Sequence, residues 1–266
     1  MTEILERTKV LITVMTYPLP SSRYQEVICT AGITDKGEWV RLYPIDYRYR
    51  PRFQQFRKYQ WIEVELSERG TGNDNRKESR KPNLDSIVIL GEPLTTDKGW
   101  IERRKIIDKM PVYTVKQLES LYESERTSIG VVKPNSILSV KVEESDREWK
   151  PEWQMIYDQL KLFGDPPIPL RKIPYKFSYV FECDDNPRPH NAMIEDWELG
   201  VLFLRELDRL GNEEMAAESV RSKYFDEMCS SSKDTRFFMG TTFPYNKWVI
   251  LGVFWSPVNY QMELGL

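Results

Sequence analysis

The sequence predicts an α+β fold, with a small N-terminal β-barrel carrying helical additions and a mixed α/β C-terminal region. Three observations carry that expectation. Short runs rich in β-branched and aromatic residues, separated by turn residues, fill most of the first 145 positions. Helical spacing breaks into that pattern at 97–124. Beyond a Pro-rich stretch within 147–175 the pattern changes to one strand, two longer helices and two closing strands.

Taken in order, the strand candidates of the first half are 9–17, 24–33, 38–45, 59–68, 86–94 and 135–144. The connector "TDKG" at 34–37 suits a hairpin, and "RPRFQQFRKY" suits a short helical turn. The polar, Gly- and Asn-containing segment 69–83 reads as an exposed loop carrying Arg76, Lys77, Arg80 and Lys81. Residues 97–124 read as two short helices divided at Met110-Pro111, because proline ends a helix. Six strands with helices in their connections predict a closed or half-open barrel over 1–146.

Pro166, Pro167, Pro169 and Pro174 stiffen 147–175 and make it the expected junction between two domains. Residues 176–266 then offer a strand at 176–185 and a loop "NPRPH". A helix is expected next, starting near Asn191 as N-cap, with Ile194, Trp197, Val201 and Leu204 along one stripe. A second helix at 213–230 and two apolar strands within 236–255, around a turn at Pro244 to Asn246, close the chain.

Composition narrows the function classes. With 266 residues, 40% hydrophobic and 30% charged, the chain can bury a sizeable core. The N-terminus lacks the basic and small-residue features of a signal peptide, and no apolar run reaches the roughly 18 residues of a membrane span. Cys29, Cys183 and Cys229 are odd in number and far apart, which fits a reducing compartment; a cytoplasmic protein is expected. The net charge of −3 hides an asymmetry: residues 1–135 hold 23 Lys+Arg against 19 Asp+Glu, and the remainder holds 15 against 22. A basic half joined to an acidic half suggests a binding module fused to a second function.

The basic half contains "RLYPIDYRYRPRFQQFRKYQW", with six cations and seven aromatics against Asp46 alone. Arginine grips phosphate oxygens with a planar fork, and an aromatic ring offers a face on which a base stacks. On this reading Arg41, Arg48, Arg50, Arg52, Arg57 and Lys58 form a phosphate rail. Arg76, Lys77, Lys233 and Arg236 are added contacts. The competing reading has the aromatics in the core and the arginines solvating an edge strand.

The order of "YPLPSSRYQEVICTAGI", "GEWVRLYPI" and "FRKYQWIEVEL" resembles the PUA-like group of domains, including the ASCH and EVE types, over about residues 8–145. The resemblance implies a small β-barrel that binds RNA or DNA and holds a modified or flipped base in an aromatic pocket. Tyr17, Ser21, Trp39 and Tyr43 are the pocket residues it suggests, with Thr16 and Ser22 beside them.

Chemistry, if present, belongs to "ECDDNPRPHNAMIEDWE", which gathers six carboxylates and the chain's one histidine within residues 182–198. Three readings stay open. Asp196, Glu198 and His190 hydrolyse a glycosidic bond, or the carboxylates hold a divalent metal for phosphodiester cleavage, or they cap and solvate a helix. Zinc through Cys183, His190 and Cys229 has no CxxC or HxxxH spacing behind it, so no metal or cofactor is expected. There is no GxSxG, GxGxxG, HExxH or Walker-type run either.

The expected function is therefore binding of DNA (or RNA) bearing a modified, flipped-out base, with hydrolysis of its N-glycosidic bond. The combination is similar, as a class, to bacterial anti-phage DNA glycosylases, although no motif carries their residues across. The alternatives are a reader without catalysis and a metal-dependent nuclease.

Overall fold

The computed structural model describes residues 5–21, 25–68, 70, 72–160, 170–184, 187–242 and 246–258. Ser22, Asp185, Pro244 and the expected prolines 166, 167 and 169 lie outside them.

The chain opens with strands β1 (Leu5–Met15), β2 (Leu19–Ser21), β3 (Gln25–Thr34) and β4 (Trp39–Ile45), then two 3-10 turns at Tyr47–Tyr49 and Arg52–Gln54. Next come β5 (Trp61–Ser67), β6 (Ser79–Arg80), β7 (Pro82–Ile89), helix α1 (Asp97–Ile107), β8 (Val112–Tyr113) and α2 (Val115–Glu125). They are followed by β9 (Ile129–Val132), β10 (Ser136–Glu144), α3 (Pro151–Leu160), β11 (Tyr175–Glu182) and β12 (His190–Met193). Helices α4 (Trp197–Leu210) and α5 (Glu213–Ser222), a π turn Lys223–Glu227, and strands β13 (Lys233–Thr241) and β14 (Trp248–Pro257) complete the chain.

Strands β6-β4-β3-β1-β5-β7 form the first sheet in that order, with β2 on β3; all its pairings are antiparallel except β4 with β6. No pairing among the described strands closes it into the expected barrel. The second sheet is β10-β11-β12 and the third β14-β13-β9-β8. Because β8 and β9 pair within the third sheet and β10 with β11, the sheets divide near residue 110, earlier than the Pro-rich stretch.

Nor do the halves keep separate cores. Val14, Ala31 and Ile33 of the first sheet share one cluster with Trp100, Phe238, Val249, Leu251 and Phe254. That explains why β1 is buried along Val10–Met15 without alternation: both of its faces are covered. A buried polar network crosses the same seam. Arg41 donates to the Ser128 hydroxyl and carbonyl at 2.9 and 2.6 Å, Glu78 accepts from Ser128, and Arg76 donates to the Thr241 carbonyl at 2.9 Å.

The helix expected at Asn191 begins later. Asn191 pairs with Val180 in the second sheet, and strand pairing overrides the local capping signal. Asp196 is the actual cap, its carboxylate accepting from the Glu198 N–H at 3.0 Å. The buried face of α4 is Leu199, Gly200 and Phe203, so Val201, expected in the apolar stripe, stands 47% exposed.

Candidate functional site

The segment between β4 and β5 has no ladder to lean on, so side chains fix its backbone. Tyr47 donates its hydroxyl to the Phe56 carbonyl at 2.6 Å, and Gln55 donates to the Arg50 carbonyl at 2.7 Å. Gln60 accepts from the Arg57 N–H at 2.8 Å and donates to the Gly91 carbonyl at 2.6 Å. Within that clamp Tyr59 takes φ 61°, its N–H on the Ile12 carbonyl at 2.5 Å and its own carbonyl accepting from Leu94 at 2.7 Å. A non-glycine residue at positive φ stores strain of about 1 kcal/mol or more, which the surroundings must hold in place.

The same device recurs at the start of α1. Lys98, Gly99 and Trp100 all have positive φ, 47°, 69° and 66°, which folds the Trp100 ring inward against Phe254 and Trp255 at 5.3 and 5.2 Å between centroids. Arg103, one turn along, lays its guanidinium 3.9 Å from the Tyr59 ring centre and 5.0 Å from that of Trp100. It is anchored by Nε donating to the Leu94 carbonyl at 2.9 Å.

Tyr59, Trp100 and Arg103 are one side of a cavity of about 620 Å³ between the two halves of the chain. Tyr47 and Phe56 to Lys58 add to that wall. The rest of the lining is the outward face of α4, Trp197, Glu198, Val201, Leu202 and Arg205, with Lys223, Tyr224, Met228, Val253 and Trp255 completing it. Tyr47 meets Trp197 edge to face at 5.2 Å, closing one end. Tyr59 is 4% exposed and its hydroxyl has no hydrogen-bond partner among the described residues. Burial pushes its pKa up to about 12, so the phenol is neutral.

A buried charge cluster lies at the wall. Lys58 Nζ donates to Asp196 Oδ1 and Oδ2 at 3.1 and 2.8 Å and to Glu198 Oε2 at 2.8 Å. Burial opposes the ammonium, but Asp196 and Glu198 outweigh it and hold the lysine pKa above its ordinary value. Glu198 goes the other way: Lys58 beside it lowers its carboxyl, which stays ionised. For Asp196, burial raises the pKa against the pull of Lys58. The three contacts on Lys58 decide that the triad is charged at neutral pH. Asp196 spends both oxygens on Lys58 and on the helix cap, whereas the Glu198 side chain is 61% exposed and borders the cavity.

The site residues expected from sequence are thus only partly assembled. Asp196, Glu198, Arg57 and Lys58 come together. His190 sits in β12 with its ring 5.3 Å from Phe181 and does not line the cavity. Tyr17, Ser21, Trp39 and Tyr43 do not line it either; Tyr17 backs it from outside, against Trp197 at 6.4 Å. The cavity's aromatics, Tyr47, Phe56, Tyr59, Trp100, Trp197, Tyr224 and Trp255, come from five separate segments, and no local pattern marks Trp100 as one of them.

The expected phosphate rail does not survive as drawn. Residues 47–49 form a 3-10 turn, so no strand alternation sorts arginines from tyrosines. Arg48 pairs at 2.9 Å with Glu26, whose side chain is 3% exposed, and Arg50 pairs with Asp46 and Asp85. Arg41, Arg76 and Arg236 are buried and bonded internally, which withdraws them from any phosphate. Arg52, Arg57 and Lys77 remain on the surface, Arg57 paired with Glu92 at 2.6 Å and Lys77 with Glu125 at 2.8 Å, and Lys233 lies 4.9 Å from the Trp255 ring centre. Among the described residues no cluster of His, Cys, Asp or Glu is placed to hold a metal ion, and no helix is long and apolar enough to cross a membrane.

No curated protein matches the chain. Among solved structures it is similar to the HINb domain of p204, at 9% identity over 96% of this chain and 97% of that one, with a TM-score of 0.31. It is also similar to a replication protein A heterotrimer bound to ssDNA, at 12% identity over 97% and 66%, with a TM-score of 0.25. TM-scores this low assign no shared fold. Residues 6–109 match a family model described as Domain of unknown function (DUF8758), and residues 111–265 match Domain of unknown function (DUF8757). The two models meet where the sheets divide, and with more than half its length in the second match the chain belongs to the DUF8757 family.

Proposed function

We propose that this chain binds nucleic acid and receives one displaced base in the cavity between its halves. The observation that carries the reading is the pair Tyr59 and Trp100. Both are held at positive φ with their rings in the cavity wall, bridged by Arg103. Strained aromatic positions around a cavity are what a site for a planar ring needs, and a volume of about 620 Å³ leaves room for a base with a substituent. Arg57, Arg205 and Lys223 stand at the same cavity and suit the flanking phosphates.

Glu198 is the group that meets the ligand. As a carboxylate it accepts N–H donors from a base edge. In the finer reading it steadies the cationic sugar formed as an N-glycosidic bond is hydrolysed. It is too acidic in this setting to serve as the proton donor. Asp196 is a positioning residue in either case, holding Lys58 and the start of α4.

The test is a mobility shift on modified and unmodified DNA and RNA oligonucleotides at low salt, in EDTA, followed by assay for abasic sites. A shift that weakens in Arg103→Ala supports the pocket. Abasic sites that vanish in Glu198→Gln support hydrolysis, and bound strands with every base intact support a reader. No shift on any strand at low salt, where phosphate contacts are strongest, ends the nucleic-acid reading.

A further inference from the structure

We infer that Phe53 is a wedge that enters the base stack and fills the place of the displaced base. The inference rests on the pocket reading above and adds how the base is brought out. Phe53 is 73% exposed, the most exposed large apolar side chain among those described. It sits in the 3-10 turn Arg52–Gln54, between Tyr47 and the run Phe56 to Tyr59, all of which line the cavity. Phe56 is three positions along, so the backbone of Phe53 lies within about 10 Å of the cavity wall.

The turn that carries it is fixed, as a wedge requires. Gln54 is 5% exposed and donates to the Asp85 carbonyl at 3.3 Å, Gln55 donates to the Arg50 carbonyl at 2.7 Å, and Arg50 holds Asp46 and Asp85 at 2.9 Å each. An exposed phenylalanine on a rigid support gains nothing for the fold. Pro51 and its chain neighbour Arg52 are also exposed, and Arg57 follows with a side chain 63% exposed, in a surface pair with Glu92 that a phosphate can displace. An apolar ring flanked by arginines suits a stack of bases between two phosphate strands: the ring replaces lost stacking while the cations grip the backbone. A duplex is the partner this arrangement fits, since only there does a displaced base leave a gap framed by paired neighbours for the ring to fill.

The experiment places 2-aminopurine, whose fluorescence rises on unstacking, at or beside the recognised position of a duplex, with the matching single strand as control. Phe53→Ala should lose the fluorescence rise and weaken duplex binding about tenfold or more, the scale of one base–aromatic stack, while single-strand binding stays within about twofold. Phe53→Leu, which keeps an apolar wedge, should recover most of the loss. An unchanged fluorescence rise in Phe53→Ala overturns the wedge, as does an equal loss on single strand and duplex. If the wild-type chain binds neither, the pocket reading has failed first and takes the wedge with it.

Discussion

Replacing Asp196 by alanine removes more than a carboxylate. Its side chain is 2% exposed and that of Lys58 6%, and they share two contacts at 3.1 and 2.8 Å. Taking away one partner of a buried pair costs about 3–5 kcal/mol, because the other charge is left in a low-dielectric site. The helix cap to Glu198 adds about 1 kcal/mol. Glu198 remains beside Lys58 and returns part of the loss, but its exposure weakens that contact, so a net cost of about 4 kcal/mol is expected. Asp196→Asn, which keeps a good cap, should cost about 1 kcal/mol less.

Lys58→Met leaves the buried carboxylate with only the Glu198 N–H and should cost about 2–3 kcal/mol. The double variant Lys58→Met with Asp196→Asn has no buried charge left. It should be no worse than the Lys58 single variant, a coupling of about 2 kcal/mol or more. Urea unfolding at pH 7, followed by circular dichroism, measures all four proteins. If Asp196→Asn costs less than about 1 kcal/mol, or if the two changes add to within about 0.5 kcal/mol, the buried pair is not what holds α4 to the cavity wall.

Gly200→Ala should destabilise by about 1–3 kcal/mol despite the better helix propensity of alanine, because its Cβ would lie 2.4 Å from Tyr17 Cδ2 while Tyr17 is held by its bond to the Arg171 carbonyl. Thermal denaturation checks this, and Tyr17→Ala in the same protein should relieve the clash. On nucleic acid, Arg57→Ala and Arg205→Ala should each flatten the slope of log K against log salt by up to about 0.9, whereas Arg48→Ala should leave the slope alone and lower stability through its partner Glu26. In alkali, the raised pKa of Tyr59 means the folded state favours the neutral phenol. Its contribution is whole below the ordinary value of 10.0 and is lost as pH rises toward about 12. Tyr59→Phe should lose less stability than wild type across that window, and an equal loss in both proteins counts against the burial of the hydroxyl.

The strands that could be read in the sequence were those whose burial is local. Runs such as "KVLITVM" and "NSILSVKVEE" carry enough β-branched residues to declare themselves, and the split at Met110-Pro111 correctly separates α1 from α2. What escaped were the pieces decided elsewhere in the chain. Ile129–Val132 is a strand because β13 pairs with it, and His190–Met193 because β11 does; the sequence marks no element at the first, and at the second Asn191 reads as a helix cap. The acidic cluster was legible as a place, and Asp196 and Glu198 within it were named. Lys58, 138 residues before Asp196, stands among surface-type cations in the sequence, and nothing local shows that this lysine turns inward. The pocket aromatics stay hidden for the same reason: rings gathered from five segments leave no spacing to count.

The Arg- and Tyr-rich segment shows how composition misleads about direction. Its cations looked like a rail because the stretch holds one acid, yet their acids lie elsewhere: Glu26 on β3 for Arg48, Asp85 on β7 for Arg50 and Asp196 before α4 for Lys58. Each pair ties a piece of irregular backbone to a regular element. A segment without a ladder must satisfy its backbone through side chains, and this one does so with Tyr47, Gln54, Gln55 and Gln60. The segment's side chains therefore act on the fold first: the salt bridges tie it to β3, β7 and the start of α4, while the tyrosine and glutamine bonds hold Phe56 against Tyr47 and clamp the backbone around Tyr59. Their link to binding is indirect, since a wall this firmly tied can keep a cavity open between two halves that share a core. Arg57, Arg205 and Lys223 are lining cations outside those buried pairs, and Arg57 is itself tied at the surface to Glu92.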